Sequence, residues 1–368
     1  MKRIPVIVLT GGPCAGKTTI LAKLQQKLSD IGYTVITVSE AATDLILSGI
    51  SPGKLPVADF QSLLLQFMIA KENFWKIAAA KMEIEKVVIL CDRGALDGAA
   101  YVPQHEFELM IALQGYKISE LSSRYDEIMF LHSVAVDRPE IFTLANNKAR
   151  SETVEQACEL DARTLAAWVG HDHVSILDNS MDIEEKAHQA FKKICHRLGE
   201  PVPVEIEEKY RVIGADLSKI PRPMQKVEIG QYYLKVGDSV EERIRSRTLA
   251  GGTTYYHNIK RKIRSGMRWE EERKISQEEY IEYLSHVNPE FGKIEKTRYC
   301  FCYKGQYFEL DAFSNPQGLV LLEIELTEEG IRIELPEFLQ GKVQNVTHDE
   351  EMSNREIARR LAKGMLVY

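Results

Sequence analysis

The sequence predicts two joined domains of different class. The first is an α/β domain, a parallel sheet flanked by helices. The second is an α+β domain whose antiparallel strands are expected to close into a barrel. Three observations predict this. Over the first half, short β-branched runs alternate with helical stretches, the pattern of a parallel sheet covered on both faces. From Val204 onward helices become scarce and the strands alternate charged with apolar residues, as antiparallel strands do. Between the halves lies Gly199-Glu200-Pro201-Val202-Pro203, a proline-bracketed linker. Domain bounds of 1–199 and 204–368 follow, and two domains suit 368 residues at roughly 100–200 per domain.

The elements are expected in this order. Val6–Thr10 is a strand, Lys17–Ile31 a helix stopped by Gly32, and Thr34–Ser39 a strand. Helical segments then run up to Lys86, followed by the strand Val87–Cys91, a further helical region and the strand Glu127–His132. Ser151–Leu165 is helical, with Thr153-x-x-Gln156 fitting a capping box. Val174–Leu177 is a last short strand and Ile183–Leu198 a last helix.

Composition narrows the function. A net charge of −7 argues against a general nucleic-acid binder, which is usually basic. No stretch approaches the roughly 18 apolar residues of a membrane span. The apolar run at the N-terminus is too short for a signal peptide and leads straight into a glycine loop. The six cysteines contain no CxxC pair, which argues against a structural zinc site and suits a reducing cytoplasm.

Gly11-Gly12-Pro13-Cys14-Ala15-Gly16-Lys17-Thr18-Thr19 satisfies GxxxxGKS/T, with an apolar strand before it and a helix after it. Such a loop turns backbone N–H groups onto phosphate oxygens, and the helix end adds its dipole. Lys17 is the expected grip on the β- and γ-phosphates of ATP or GTP. Thr18 supplies a hydroxyl for Mg²⁺. Asp92-Arg93 follows an apolar strand, at the strand end where α/β folds bind ligands. Asp92 is thus placed for Mg²⁺ or as a base, and Arg93 for a phosphate or second substrate. Glu40, at the end of another strand, is a candidate proton acceptor or a solvated loop carboxylate. Arg150 and Arg163 flank a helix that reads either as a lid closing on phosphates or as a solvated helix. Asp178-Asn179 reads as a base contact or a turn, and His171-Asp172-His173 lacks a third metal ligand.

These residues carry a resemblance. GGPCAGKTT, VSEAA at Val38–Ala42, CDRGALDGAAY at Cys91–Tyr101 and NNKARSETVEQACELDARTLAAW at Asn146–Trp168 resemble the P-loop NTPase domain of AAA and nicotinamide-riboside-kinase-like proteins. They also resemble the TRPL translocation defect protein family. The Asp92-Arg93-Gly94 run is similar to the Asp-Arg-Ser/Tyr of deoxynucleoside and thymidylate kinases, which implies kinase-type geometry.

In the second half, charges fall on one strand face at a time. Glu205, Glu207 and Lys209 share a face, as do Arg243, Arg245 and Arg247, and later Glu323 and Glu325. Pairs Lys296/Arg298 and Glu309/Asp311 lie between. A plain solvated sheet gains nothing from like charges packed together. A polyphosphate with a divalent metal needs both signs. Glu205-x-Glu207-x-Lys209 is similar to the ExExK signature of CYTH domains, the triphosphate tunnel metalloenzymes. ERIRSR at Glu242–Arg247, NIK at Asn258–Lys260, RWEEE at Arg268–Glu272, KTR at Lys296–Arg298, FELD at Phe308–Asp311 and LLEIEL at Leu321–Leu326 agree in order. The end motif carries Met352 before Ser353-Asn354, where an aromatic is common.

That resemblance implies a metal role (Mg²⁺ or Mn²⁺) for Glu205, Glu207, Glu323 and Glu325. It implies a phosphate role for Lys209, Arg243, Arg245, Lys260 and Arg298. The expectation is therefore Mg²⁺-dependent nucleotide binding, with hydrolysis or phosphoryl transfer, joined to a tunnel that binds or cleaves tripolyphosphate. The alternative is a GTP-gated trafficking adaptor at the membrane periphery whose tunnel takes anionic phospholipid headgroups, phosphoinositide or phosphatidic acid. Ten Lys/Arg between Arg243 and Lys274 suit such headgroups or form a solvated basic hairpin.

Overall fold

The computed structural model describes residues 3–142, 153–200, 206–236, 240–264, 267–326 and 332–365. The chain divides into two compact units, residues 1–200 and 201–368. Among the described residues no helix is long and apolar enough to cross a membrane.

The first unit runs β1 (Val6–Thr10), α1 (Lys17–Asp30), β2 (Thr34–Val38), α2 (Ala41–Leu47), α3 (Val57–Lys81), β3 (Val87–Asp92), α4 (Gln104–Leu113), α5 (Ile118–Ser122), β4 (Glu127–Leu131), α6 (Val134–Asp137), α7 (Val154–Trp168), β5 (Val174–Leu177) and α8 (Ile183–Leu198). The five strands are parallel in the order β2-β3-β1-β4-β5. β1 is buried along its whole length because it is central and helices cover both faces. Its side chains alternate between two cores. Val6 and Val8 join the core with Phe60, Leu64 and Trp168, while Ile7 and Leu9 join Ile20, Leu24, Ala187 and Ile194. α8 shows why its bounds were legible. Asp182 accepts from the N–H groups of Glu184 and Glu185, and Gly199 takes the left-handed conformation past the last turn.

The second unit runs β6 (Ile206–Val212), β7 (Met224–Val236), β8 (Val240–Leu249), β9 (Gly252–Arg264), β10 (Met267–Ile275), α9 (Gln277–Leu284), β11 (Ile294–Tyr303), β12 (Gln306–Asn315), β13 (Val320–Leu326), β14 (Val343–Asn345) and α10 (Asn354–Ala362). Its nine strands are antiparallel in the order β10-β9-β8-β7-β11-β12-β13-β6-β14. The expected closed barrel is not found among the described residues, where no ladder joins β10 to β14. β14 has three residues and β10 nine, so the two edges are unequal partners. Alternation decides which face a residue takes, whereas closure also needs matched edges and stagger.

One sheet face is apolar and covered. Phe301, Phe308, Leu310, Leu322 and Ile324 pack there with Phe338 and Leu339. At one end of the opposite face, α10 lays Ile357 and Ala358 on Ile294, Phe313 and Leu321, and Met352 fills the same cluster. The remainder of that face carries the charges.

Candidate functional site

The phosphate loop leaves the carboxyl end of β1 beside the end of β3. Its glycines are dictated by close approach. Gly11 has φ 139°, and an added Cβ would stand 1.9 Å from the Leu131 carbonyl oxygen. A Cβ on Gly12 would stand 2.6 Å from Asp161 Oδ1. Pro13, Cys14, Ala15 and Gly16 complete the turn, with Gly16 in the left-handed region at the start of α1. Lys17 is buried, and its Nζ donates to the carbonyls of Gly11 at 3.0 Å and Gly12 at 2.8 Å. Thr18 and Thr19 are exposed on the first turn of α1.

Asp92, Arg93 and Glu40 come together at this rim. Arg93 Nε donates to Glu40 Oε1 at 2.8 Å, and its Nη1 lies 3.4 Å from both Asp97 Oδ2 and the Gly11 carbonyl. Asp92 Oδ1 is buried and has no hydrogen-bond partner among the described residues. An orphaned carboxylate oxygen at this rim suits a hard cation that takes oxygen ligands.

The second constellation lies on one face of the nine-stranded sheet. Register places Lys209 opposite Glu323, Glu323 opposite Glu309, Asp311 opposite Arg298, and Arg243 opposite both Tyr233 and Asn258. Directly opposed residues point to the same side. The charges pair there in two groups. Glu323 takes Lys209 Nζ and Arg298 Nη2, each at 2.9 Å. Arg298 grips Asp311 with Nε and Nη2, both at 2.7 Å, and also pairs with Glu309. Lys296 pairs with the wholly buried Asp311. In the other group Arg245 Nη2 and Asn258 Nδ2 meet Glu272 Oε2 at 2.9 and 2.6 Å, and Arg243 lies 3.8 Å from Glu241.

Residues 6–186 match the family model described as an AAA domain. No curated protein matches the chain. Among solved structures, the chain is similar to the inorganic triphosphatase NE1496, at 27% identity and a TM-score of 0.33, covering 43% of this chain and 96% of that one. A second structure, of the hypothetical protein NE1496, gives 27% and 0.32, covering 42% and 98%. The PH1819 protein from Pyrococcus horikoshii OT3 gives 20% and 0.27, covering 42% and 89%.

Within the first unit, electrostatics separates the two candidate bases. Burial works to raise Glu40, but Arg93, Thr43 and Lys17 outweigh it and hold the carboxyl at about 2 instead of 4.5. Burial and the neighbouring Glu40 raise Asp92, against the pull of Lys17 and Arg93. Asp92 is thus the better proton acceptor. A carboxyl held low contributes stability above its unfolded value that is lost as pH falls from about 5 toward 2. Glu40→Gln is expected to melt below the parent at pH 7, with the gap closing as pH approaches 2. A gap that stays constant down to pH 3 contradicts the Arg93 pairing as its cause.

Some expectations need correction. α7 is no loose lid, because Ala157, Asp161, Thr164, Leu165 and Trp168 seat it in the core. Arg163 donates to the Val102 carbonyl at 3.1 Å and lies 3.8 Å from Glu159. Asn179 serves a turn, donating to the His132 and Ser133 carbonyls. Arg150 and Glu205 lie outside the described residues, as do the side chains of Lys260 and Glu325, whose backbones stand opposite Glu241 and Glu207.

Three carboxylates were missed as site residues. Asp161 and Asp97 are both buried, and Asp311 has no exposed side-chain surface. Asp161 carried a readable signal. It falls on the stripe 157, 161, 164, 165, 168, where an apolar residue is expected. A charge there implies buried donors.

Proposed function

We propose that the AAA-type domain binds a nucleoside triphosphate with Mg²⁺ and turns it over. We further propose that the second unit binds and cleaves a triphosphate on its charged face. The observation that carries the second reading is the shared face. Lys209, Arg243, Arg245 and Arg298 come from three strands and project to the same side as Glu207, Glu309, Asp311 and Glu323. That set supplies cations for phosphate oxygens and carboxylates for a metal.

In the first unit, Lys17 would leave the Gly11 and Gly12 carbonyls for the β- and γ-phosphates. Thr18 and Asp92 would hold Mg²⁺, which supplies charge neutralisation for the transferring phosphoryl group. Where Asp92 does not bind the metal directly, it, and not Glu40, would take a proton from the attacking hydroxyl or water. Arg93, fixed by Glu40 and Asp97, would set the rim against which the acceptor lies.

In the second unit, Glu207 and Glu323, with Glu205 and Glu325, would hold Mg²⁺ or Mn²⁺, which supplies an activated water. Asp311 sets the plane of the Arg298 guanidinium by its two-pronged contact, and Glu309 and Glu323 occupy its other nitrogens, so an arriving anion would have to take those donors from the two glutamates. Phosphate release from tripolyphosphate, followed with Mg²⁺ and with Mn²⁺, tests this reading. The parent is expected to turn over and Glu323→Gln to fall by at least about 100-fold. Equal rates would remove the charged face as the catalyst.

A further inference from the structure

We propose that α7 is the spacer that sets the phosphate loop against the Asp92 turn, with Asp161 and Trp168 as its two positioning residues. This rests on the reading of that rim as a nucleotide site. Asp161 Oδ1 accepts from the Gly12 N–H at 2.9 Å and the Ser133 N–H at 2.8 Å, and Oδ2 meets His132 Nδ1 at 2.6 Å. A carboxylate buried this fully persists only where donors surround it. It reaches the loop so closely that Gly12 tolerates no side chain.

Seven residues further on, two turns along the same helix face and about 10 Å away, is Trp168. Its ring covers Gly94, where an added Cβ would stand 2.7 Å from Cζ2. Its Nε1 donates to Asp97 Oδ1 at 2.6 Å. Asp97 also accepts from Thr10 Oγ1 at 2.7 Å, at the strand end from which the loop leaves, and faces Arg93. One rigid helix therefore touches the loop at Gly12 and the turn at Gly94. It fixes the separation between Lys17, which holds phosphate, and Asp92, which holds metal or proton. A misplacement of about 1 Å in such a pair can cost about 100-fold in rate.

The test compares amide hydrogen exchange, without nucleotide, at Gly12–Lys17 and Asp92–Ala95 in the parent, Asp161→Ala, Asp161→Asn and Trp168→Phe. Nucleotide affinity and single-turnover rate are measured on the same proteins. Asp161→Ala is expected to speed loop exchange and weaken affinity by about tenfold, the loss of buried hydrogen bonds. Asp161→Asn keeps an acceptor for Gly12 and Ser133 and should recover most of both. Trp168→Phe should leave affinity within about twofold yet slow turnover by about tenfold or more, since it loosens the turn and spares the loop. Parent-like exchange at the loop in Asp161→Ala overturns the proposal. If that variant loses protection everywhere, Trp168→Phe decides, and parent-like exchange at Asp92–Ala95 overturns it. A parent that binds no nucleotide would sink the nucleotide reading instead, and the exchange data would still judge the spacer.

Discussion

Arg298→Ala is expected to destabilise the second unit more than any other single change on its charged face. Arg298 holds Asp311, Glu309 and Glu323 together, and its own side chain is 12% exposed. Asp311 has no exposed side-chain surface. Burial raises Glu309, and Arg298 is the larger of the two arginine contributions against it, so without Arg298 that carboxyl rises further. Breaking a buried charge pair by removing one partner costs about 3–5 kcal/mol. For a unit of this length each kcal/mol moves the midpoint by about 2–4 °C, so a fall on the order of 10 °C is expected. The sign of its pH dependence is also set. Carboxyls whose folded pKa exceeds the unfolded one favour the folded state at low pH and oppose it as pH rises. The deficit should therefore be larger at pH 8 than at pH 5. Arg298→Lys keeps the charge but loses the two-pronged fork, and should fall between. A midpoint within about 2 °C of the parent at pH 8 would contradict the account of Arg298 as the organiser of this face.

Lys17→Ala is expected to weaken nucleoside triphosphate binding by at least about 100-fold while the unit stays folded. A charge-assisted contact to phosphate contributes on the order of 2–3 kcal/mol, and Lys17 is placed for more than one. The buried amine bonds the Gly11 and Gly12 carbonyls, so its removal leaves acceptors unmet in the loop. That cost falls on a turn already braced by Asp161 and by Ser133 Oγ on the Pro13 carbonyl. Titration calorimetry with ATP and GTP checks the affinity, and far-ultraviolet dichroism checks the fold. Affinity within about threefold of the parent would remove Lys17 as a phosphate grip.

How far the sequence carried these conclusions differs by kind of feature. β1, β5 and α8 fall on the expected bounds because each has a local cause. Apolar runs ended by glycine or a polar turn mark the strands, and Asp182 and Gly199 mark the ends of the helix. The charged face was equally legible, since a period of two forces Glu207 with Lys209, and Arg243 with Arg245, to one side. Which charges meet was not legible. The Arg298 contact to Asp311 depends on the β11–β12 register, and its contact to Glu323 reaches past β12 to β13. Asp161 meets Gly12 across 149 residues, and nothing local to either announces the other. The lid reading failed for the same reason. Arginines flanking a helix suggest closure over phosphate, but the buried stripe on α7 decides that the helix is fixed. Barrel closure failed because edge pairing lies beyond what alternation encodes.

In the proposed function this chain has two triphosphate grips built on different physics, a loop of backbone amides with Lys17 and a sheet face of paired charges. A crossed experiment tests it most directly. Nucleotide affinity and tripolyphosphate turnover are measured on the parent, Lys17→Ala, Glu323→Gln and the double variant. Lys17→Ala is predicted to lose nucleotide binding and keep tripolyphosphate turnover, Glu323→Gln the reverse, and the double variant both. If either single change abolishes both activities in a protein that remains folded, the two grips are not separate and the account is wrong.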